Sequence, residues 1–405
     1  MLGVVGAMAA LSIDVVTLHT ARSEAQLAAD SAALAAARVL ANSGMTSDTT
    51  GGLTTAAEAQ AAAVAVQVAT QNQVGGRNLL ATEVSNPPTF GGTTTNPTVT
   101  VRVQRNDLPT FFARIWGTRQ LTVAASATAE AYNPSGAGPG QVPAAPICVK
   151  PWLLPNMDPS SSATPPTTIF DPITGGITNP ALLGWSDPGT RLSVVCPGGC
   201  TSIPAPSDWQ YYPGDPTNFP PPTQALPACT PVLTTAYQES VAGCIQTPIA
   251  CNSQVNIDTS PYASRDSETA DAVNCLTHAT AGKGDMVDSP SPPTAPFEFV
   301  AGADNPVAVI DPSLAGQELM VSDSLVTVPV FDSVSGTPPV NPVTIIGFVQ
   351  LFLNPNGNPT QNSGGNAGHM KTAVVNLAGC GTSAAASPFI LGNGASPVAV
   401  RLISP

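Results

Sequence analysis

Residues 12–41 read SIDVVTLHTARSEAQLAADSAALAAARVLA, and an apolar run, Leu2–Ile13, leads into them without a break. Alanine has the highest helix propensity of the amino acids, and apolar side chains recur near helical spacing in this stretch. The sequence therefore predicts a helix over Thr17–Ala41, ended by Ser43–Gly44. A second alanine-rich stretch predicts a helix over Thr54–Gln73. Such small side chains would also allow another helix to approach closely.

The apolar run at the start predicts a membrane segment. The stretch Leu2–Leu18 is somewhat shorter than the roughly 20 residues that span a bilayer, and Asp14 interrupts it. No Lys or Arg precedes it, and the helix continues where a signal peptide would be cleaved, so a cleaved signal peptide is not favoured. We interpret residues 1–18 as the truncated C-terminal part of a transmembrane helix.

Composition limits the classes of protein. With 43 Pro and 35 Gly against 10% charged residues, much of the chain must form turns and short strands. The formal net charge is −13, and the few basic residues are scattered. A nucleic-acid partner is therefore excluded, since phosphate binding needs a positive stripe.

The cysteines predict disulfides. Their number is eight, and none lies in the helical N-terminal part. An even count behind an apolar N-terminal segment is typical of an oxidising, extracytoplasmic compartment, and the connectivity stays open. A zinc site is the alternative, because Cys196 and Cys200 have ligand-like spacing, but no second pair of this kind follows. The disulfide candidates are Cys148, Cys196, Cys200, Cys229, Cys244, Cys251, Cys275 and Cys380.

A strand–helix–strand pattern follows the two helices. Strict alternation predicts a strand over residues 98–105. Apolar side chains at helical spacing predict a short helix over 107–116 with Asp107 as its N-cap, and a second strand is predicted over 119–131. Residues 133–146 are a Pro/Gly-rich linker by composition.

The remainder divides into two parts. Residues 147–300 are Pro-rich with weak periodicity, so cross-links would replace missing burial there. Short elements are predicted near residues 192–195 and 234–244. The last hundred residues regain strand pattern, and we expect these strands to pair in one antiparallel sheet that includes Cys380. The predicted strands are Leu325–Phe331, Val343–Leu353, Thr372–Leu377 and Val398–Ile403.

The N-terminal pattern resembles a known family. The apolar segment, then Asp14, and then Arg22, Gln26 and Asp30 spaced among alanines, is similar to the N-terminal domain of TadG-like proteins of the Flp/Tad pilus-assembly system. The elements up to residue 132 also resemble TadG- and TadE-type proteins. The resemblance implies an assembly helix in which these four polar residues belong to the motif, with Asp14 paired to a charge of a neighbouring subunit.

The sequence shows few patterns that indicate a catalytic or metal site. The histidines His19, His278 and His369 lack an accompanying nucleophile motif, so no catalytic residue is predicted. The segment Asp158–Ser162 fits the D-x-S-x-S pattern of a Mg²⁺ loop, but neither the strand before it nor the helix after it is predicted. We interpret it as a loop and expect no metal site and no cofactor.

These observations combine into one hypothesis. We expect an α+β protein: a membrane-anchored pilin-like helix with a helical hairpin and small sheet, then a Pro-rich, disulfide-linked, β-rich region. The domains are a transmembrane segment (1–18), a pilin-like α/β domain (19–132), a linker (133–146) and an extracytoplasmic region (147–405).

The resemblance implies a non-enzymatic structural or assembly component of a Flp/Tad-type pilus. Such a component sits in the bacterial inner membrane with a single pass, its C-terminal bulk periplasmic or extracellular. Its partners are the membrane, other Tad pilus-assembly proteins and pilin-like subunits, reached through the N-terminal helix. The alternative function is a surface-exposed adhesin or ligand-binding protein.

Overall fold

The computed structural model describes the chain from residue 2 to residue 404 with internal gaps. The gaps are residues 86, 114–116, 118–119, 137–141, 160, 162, 164–165, 185–190, 195–208, 227, 259–264, 289–292, 334–340 and 383–394.

Helices and strands both contribute substantially, which confirms the α+β class. The helices are α1 (Leu2–Asn42), α2 (Thr54–Gln71), α3 (Ala236–Ala242), α4 (Arg265–Thr277) and α5 (Pro306–Ile310). The strands of the first half are β1 (Gln73–Val74), β2 (Arg77–Asn78), β3 (Thr89–Gly92), β4 (Pro97–Pro109), β5 (Gln120–Tyr132), β6 (Trp152–Pro155), β7 (Arg191–Val194) and β8 (Trp209–Pro213). Those of the second half are β9 (Gln254–Val255), β10 (Met286–Val287), β11 (Phe299–Val300), β12 (Glu318–Leu319), β13 (Leu325–Phe331), β14 (Val343–Leu353), β15 (Met370–Gly379) and β16 (Ala399–Ser404).

The chain forms two compact units. The first contains residues 1–41, 54–131 and 400–405, and the second contains residues 42–53 and 132–399. The first unit therefore takes its last strand from the far C-terminus, and the second takes in the connection between α1 and α2.

The first unit combines α1 and α2 with a sheet in the order β16-β5-β4-β3. Alanines supply the buried face of both helices: on α2, Ala57, Ala61, Ala65 and Ala69 repeat every fourth residue and are completely buried. This spacing places them in one row along the helix. Ala33 on α1 is also completely buried, so the small side chains of both helices are packed and not exposed.

The membrane segment predicted for residues 1–18 is not supported. Within the described part of the chain, no helix is both long enough and apolar enough to cross a bilayer. Asp14 also places a charged side chain in the first part of α1, where a membrane-spanning helix would be apolar. The predicted single-pass inner-membrane localisation is therefore wrong.

The short helix predicted over residues 107–116 is wrong at its start, because strand β4 continues through residues 107–109. Strands β4 and β5 form an antiparallel hairpin that runs from Thr98 opposite Glu130 to Pro109 opposite Gln120, with an irregularity between Arg105 and Leu108. Residues 107–109 belong to β4, and residues 114–116 lie outside the described residues.

The carboxylate of Asp107, predicted as a helix N-cap, instead forms ion pairs with two arginines. Its Oδ1 lies 2.7 Å from Nε of Arg105 and 2.8 Å from Nη2 of Arg77. Arg77 also reaches Glu83 at 2.5 Å. These hydrogen bonds, first of all the one from Arg105, lower the pKa of Asp107. One arginine two residues away and another 30 residues away in sequence thus hold the carboxylate of Asp107.

Six of the described strands of the second unit pair in a closed ring. Among the described strands the order is β13-β6-β8-β7-β15-β14-β9, and β13 also pairs with β14. The pairing therefore closes on itself through β13 and β14. Trp152 on β6 donates its indole N–H to the hydroxyl of Tyr237 on α3 at 3.0 Å, which anchors that helix to the core.

The last strand departs from the predicted C-terminal sheet. The strands at 325–331, 343–353 and 370–379 do pair antiparallel with one another. In contrast, β16 joins β5 in the first unit, where Arg401 pairs with Glu130 at 2.5 Å. Strand periodicity predicts that a strand exists but not which neighbour it pairs with.

The connection between α1 and α2 is buried although it is polar. Ser43, Thr46 and Ser47 are completely buried in the second unit. The hydroxyl of Ser47 donates to the carbonyl oxygen of Leu377 at 3.1 Å and accepts from its N–H at 2.8 Å. Gly44 adopts φ +86°, where a Cβ would lie 3.1 Å from the ring of Phe297. This segment is held in place by hydrogen bonds to β15.

The predicted linker at residues 133–146 is packed where the structure describes it. Asn133 is completely buried, and its side-chain amide donates to the carbonyl oxygens of Thr46 (3.1 Å) and Leu377 (2.9 Å). Ala144 is also buried. Proline and glycine content therefore indicated the absence of regular structure, not the absence of packing.

Candidate functional site

The carboxylate of Asp14 binds a row of backbone amides. Its oxygens accept hydrogen bonds from the N–H groups of Phe111 (2.8 Å), Phe112 (3.0 Å) and Ala113 (2.6 Å), which follow β4. Asp14 lies on α1 and is 6% exposed, so its carboxylate is buried against the backbone of residues 111–113. The sequence alone suggested a neighbouring subunit as its partner, and the structure places that partner in the same chain.

Two opposing effects act on the pKa of the Asp14 carboxyl. Burial raises the pKa, but the three amide hydrogen bonds together outweigh burial, so the pKa lies below its ordinary value. Amide donors favour the ionised carboxylate. At neutral pH the negative charge therefore holds the hairpin tip against α1.

The other three residues of the family-like pattern take separate positions on α1. Gln26 donates its side-chain N–H to the carboxylate of Asp30 at 2.7 Å, one helical turn away, and to the carbonyl oxygen of Ser126 on β5 at 3.3 Å. Arg22 is exposed. Gln26 and Asp30 thus help to attach α1 to the sheet, while Arg22 faces solvent.

The helix around Asp14 is exposed. From Ser12 to Thr20, the side chain of Asp14 is buried and all the others are exposed or half-buried. Ile13 and Val15 are each 48% exposed and Val16 is 64% exposed. Phe111, whose N–H binds Asp14, is 62% exposed. We call Ile13, Val15, Val16 and Phe111 the N-terminal apolar patch.

Three pairs of cysteines lie at disulfide distance in the second unit. The Cα atoms are 4.1 Å apart in Cys148–Cys244, 5.5 Å in Cys229–Cys275 and 6.2 Å in Cys251–Cys380. Cys196 and Cys200 lie outside the described residues. The cross-links span 96, 46 and 129 residues, so they join parts of the second unit that are distant in sequence.

A buried lysine lies beside the first of these pairs. The ammonium of Lys150 donates to the carbonyl oxygens of Val241 (2.6 Å) and Gly243 (2.8 Å) at the end of α3. Burial lowers the pKa of Lys150 to about 7, and the charge of Asp323 opposes this shift. The contacts tie β6 to α3, a structural role.

The three histidines do not come together. His19 is exposed on α1, and His369 lies partly buried beside β15. Nε2 of His278 lies 3.5 Å from Oδ2 of Asp323, and this interaction raises the pKa of His278 against the opposing effect of burial.

No metal cluster appears in the described part of the chain, where no three His, Cys, Asp or Glu side chains converge. Asp158 instead accepts a hydrogen bond from the side chain of Asn179 at 2.6 Å. Ser160 and Ser162 lie outside the described residues.

A polar cavity of about 430 Å³ opens beside the loops that flank the end of β14 and the start of β15. Carboxamide side chains dominate its lining, together with His369 and Lys371. The carboxamides are those of Asn354, Asn356, Asn358, Gln361 and Asn366. Sequence reasoning did not find this site, because its amides are spread over loops with turn-like composition.

Comparisons with known proteins add no identity. No family model, no curated protein and no solved structure matches this chain. Function must therefore be argued from the residues and their geometry.

Proposed function

We propose that the chain is a non-enzymatic structural or assembly component of a Flp/Tad-type pilus, and that it contacts pilin-like subunits through α1. Support comes from the resemblance of residues 1–132 to TadG- and TadE-type proteins, and from the N-terminal apolar patch. The patch is the observation that carries the proposal.

The patch has the properties of a protein-binding surface. Large apolar side chains that are exposed on a protein surface are candidates for contact with another molecule. Here Ile13, Val15 and Val16 lie on a regular helix of 41 residues, so they are presented in a fixed arrangement with little entropy to lose on binding. A helix presenting apolar side chains is a common way for one protein to dock on another.

The buried residues of α1 define where the contact cannot be. Ala33 and Ala36 are completely buried, so their side chains are not exposed to a second subunit. Asp14 is engaged with backbone amides of its own hairpin. These observations support a subunit contact through the exposed side chains near Asp14 rather than through the alanine face that the sequence suggested.

The test places a charge in the patch. In the source strain without its native copy, a Val16→Asp variant should fold normally, because Val16 is 64% exposed, yet yield far fewer sheared pili than the native protein. Immunoblots should show equal amounts of both proteins. The matched control is Ala63→Asp, an exposed position on α2 of the same unit, which should leave piliation unchanged.

Normal pili from both Val16→Asp and a full deletion would remove the assembly role. The alternative, a surface-exposed adhesin or ligand-binding protein, would then be the better reading, and the polar cavity of the second unit is the observation that favours it. Reduced piliation by Ala63→Asp alone would place the contact on α2 and contradict the role of the patch.

A further inference from the structure

We propose that the amide-lined cavity beside β14 and β15 binds a carbohydrate. This site does not depend on the proposed role in pilus assembly, since it lies entirely in the second unit. Its volume of about 430 Å³ falls within the roughly 300–1,000 Å³ typical of small-molecule sites.

The loops that carry the cavity are held rigidly. The N–H of Asn354 donates to the carbonyl oxygen of Lys371 at 2.8 Å, and its side chain donates to the hydroxyl of Thr360 at 3.1 Å. Asn274 on α4 holds Thr360 from both sides, accepting from its N–H at 2.8 Å and donating to its carbonyl oxygen at 2.9 Å. The backbone of the site is thus fixed before any ligand binds, which lowers the entropic cost of binding.

A second set of contacts anchors the turn at Gly357. Its carbonyl oxygen accepts from the N–H of Gly284 at 3.0 Å, and the N–H of Val287 donates to the carbonyl oxygen of Pro355 at 3.1 Å. Gly357 has φ +69°, and a Cβ there would lie 2.7 Å from the carbonyl oxygen of Gly284. Glycine is therefore required for this close approach.

The chemistry of the lining selects the ligand. A carboxamide offers an N–H₂ donor and a carbonyl acceptor side by side, and neighbouring hydroxyl groups on a sugar ring offer the same combination. Asn358 and Gln361 are exposed, and no described residue hydrogen-bonds their side-chain amides. The lining contains no carboxylate, so it lacks the ligands that a divalent cation requires.

Lys371 adds one positive charge at the edge of the lining. It is one of three lysines in a chain of net charge −13. An ammonium can donate to a sugar hydroxyl or pair with the carboxylate of an acidic sugar. Its removal therefore reports whether the bound sugar is acidic or neutral.

The experiment uses the purified full chain with immobilised methyl glycosides of hexoses, N-acetylhexosamines and hexuronic acids. At least one of these probes should bind, and the double variant Asn358→Ala/Gln361→Ala should lose at least tenfold in binding while its unfolding midpoint stays unchanged. The control Gln317→Ala removes an exposed amide outside the cavity and should bind like the native chain.

Lys371→Met distinguishes the two kinds of sugar. Loss of binding to hexuronic acids alone assigns the ammonium to the sugar carboxylate, and unchanged binding of a neutral sugar assigns recognition to the amides; both support the site. The proposal is overturned if none of the probes binds, or if the double variant binds as well as the native chain.

Discussion

Replacing Lys150 by methionine should remove a pH-dependent part of the folding stability. Lys150 is 4% exposed, and burial lowers the pKa of its ammonium to about 7. In an unfolded chain a lysine titrates near pH 10.4. Between these two values the unfolded chain binds one more proton than the folded chain, so the contribution of Lys150 to stability rises with pH.

The magnitude follows from the two pKa values. One proton difference changes the free energy of unfolding by about 1.4 kcal/mol per pH unit. At pH 7 half of the folded molecules still carry the proton on Lys150, so the free energy of unfolding rises there at only half of this rate. Its total increase between pH 7 and pH 9 should be about 2 kcal/mol. Methionine has no such titration, so the stability of the native chain relative to Lys150→Met should rise by this amount over the same interval.

Urea unfolding at pH 7 and pH 9 with intact disulfides measures the effect. Other groups, including His278, titrate in both proteins and cancel in the difference. Methionine also leaves the carbonyl oxygens of Val241 and Gly243 without their donor, a loss of about 1–3 kcal/mol for each that does not depend on pH. The exposed Lys283 provides the control: the free energy of unfolding of Lys283→Met should change with pH as that of the native chain does.

If the free energies of unfolding of Lys150→Met and of the native chain change equally between pH 7 and pH 9, the reasoning is refuted. Such a result would show that the two carbonyl contacts keep the ammonium charged up to pH 9. A difference that falls with pH would mean that the sign of the shift is reversed.

Three further predictions concern single contacts. Ser47→Ala should lower the free energy of unfolding by about 2–4 kcal/mol in urea melts, because the buried N–H and carbonyl of one β15 residue lose their partner. A loss for Ser47→Ala no larger than that for the exposed Thr49→Ala would contradict the buried role. Removing the Cys251–Cys380 pair by a double alanine substitution should cost about 2–5 kcal/mol, and a melting temperature unchanged from the native one would argue against a bond there. Asp14→Asn should speed hydrogen exchange of the three amides that it binds. Because the pKa of Asp14 is lowered, its contribution to stability is present above about pH 4 and is lost as the pH falls through the pKa of the folded state. The exchange rates of the native chain and of Asp14→Asn should therefore converge at low pH. Identical exchange rates at pH 7 would count against the contact.

Local patterns were sufficient where each element depends on its own residues. Alanine content predicted α2 within two residues of its end, and alternating β-branched and aromatic residues predicted β13 and β14 at their observed bounds. Helix propensity and side-chain periodicity act within one element, so they can be read without knowing the rest of the fold.

Contacts between distant residues decided the rest. Asp107 lies in β4 and not at the start of a helix, and its carboxylate binds Arg77, which is 30 residues away in sequence; no local capping rule could anticipate that contact.

The candidate sites depend on distant contacts as well. Asp14 finds its amide partners 97 to 99 residues away in sequence, and the polar cavity exists only where two loops meet. The sequence by itself determined the α+β class, the two long N-terminal helices and the longest strands. The partner of Asp14, the burial of Lys150 and the amide-lined cavity were decided by tertiary structure, because hydrogen bonds and burial depend on distances in space.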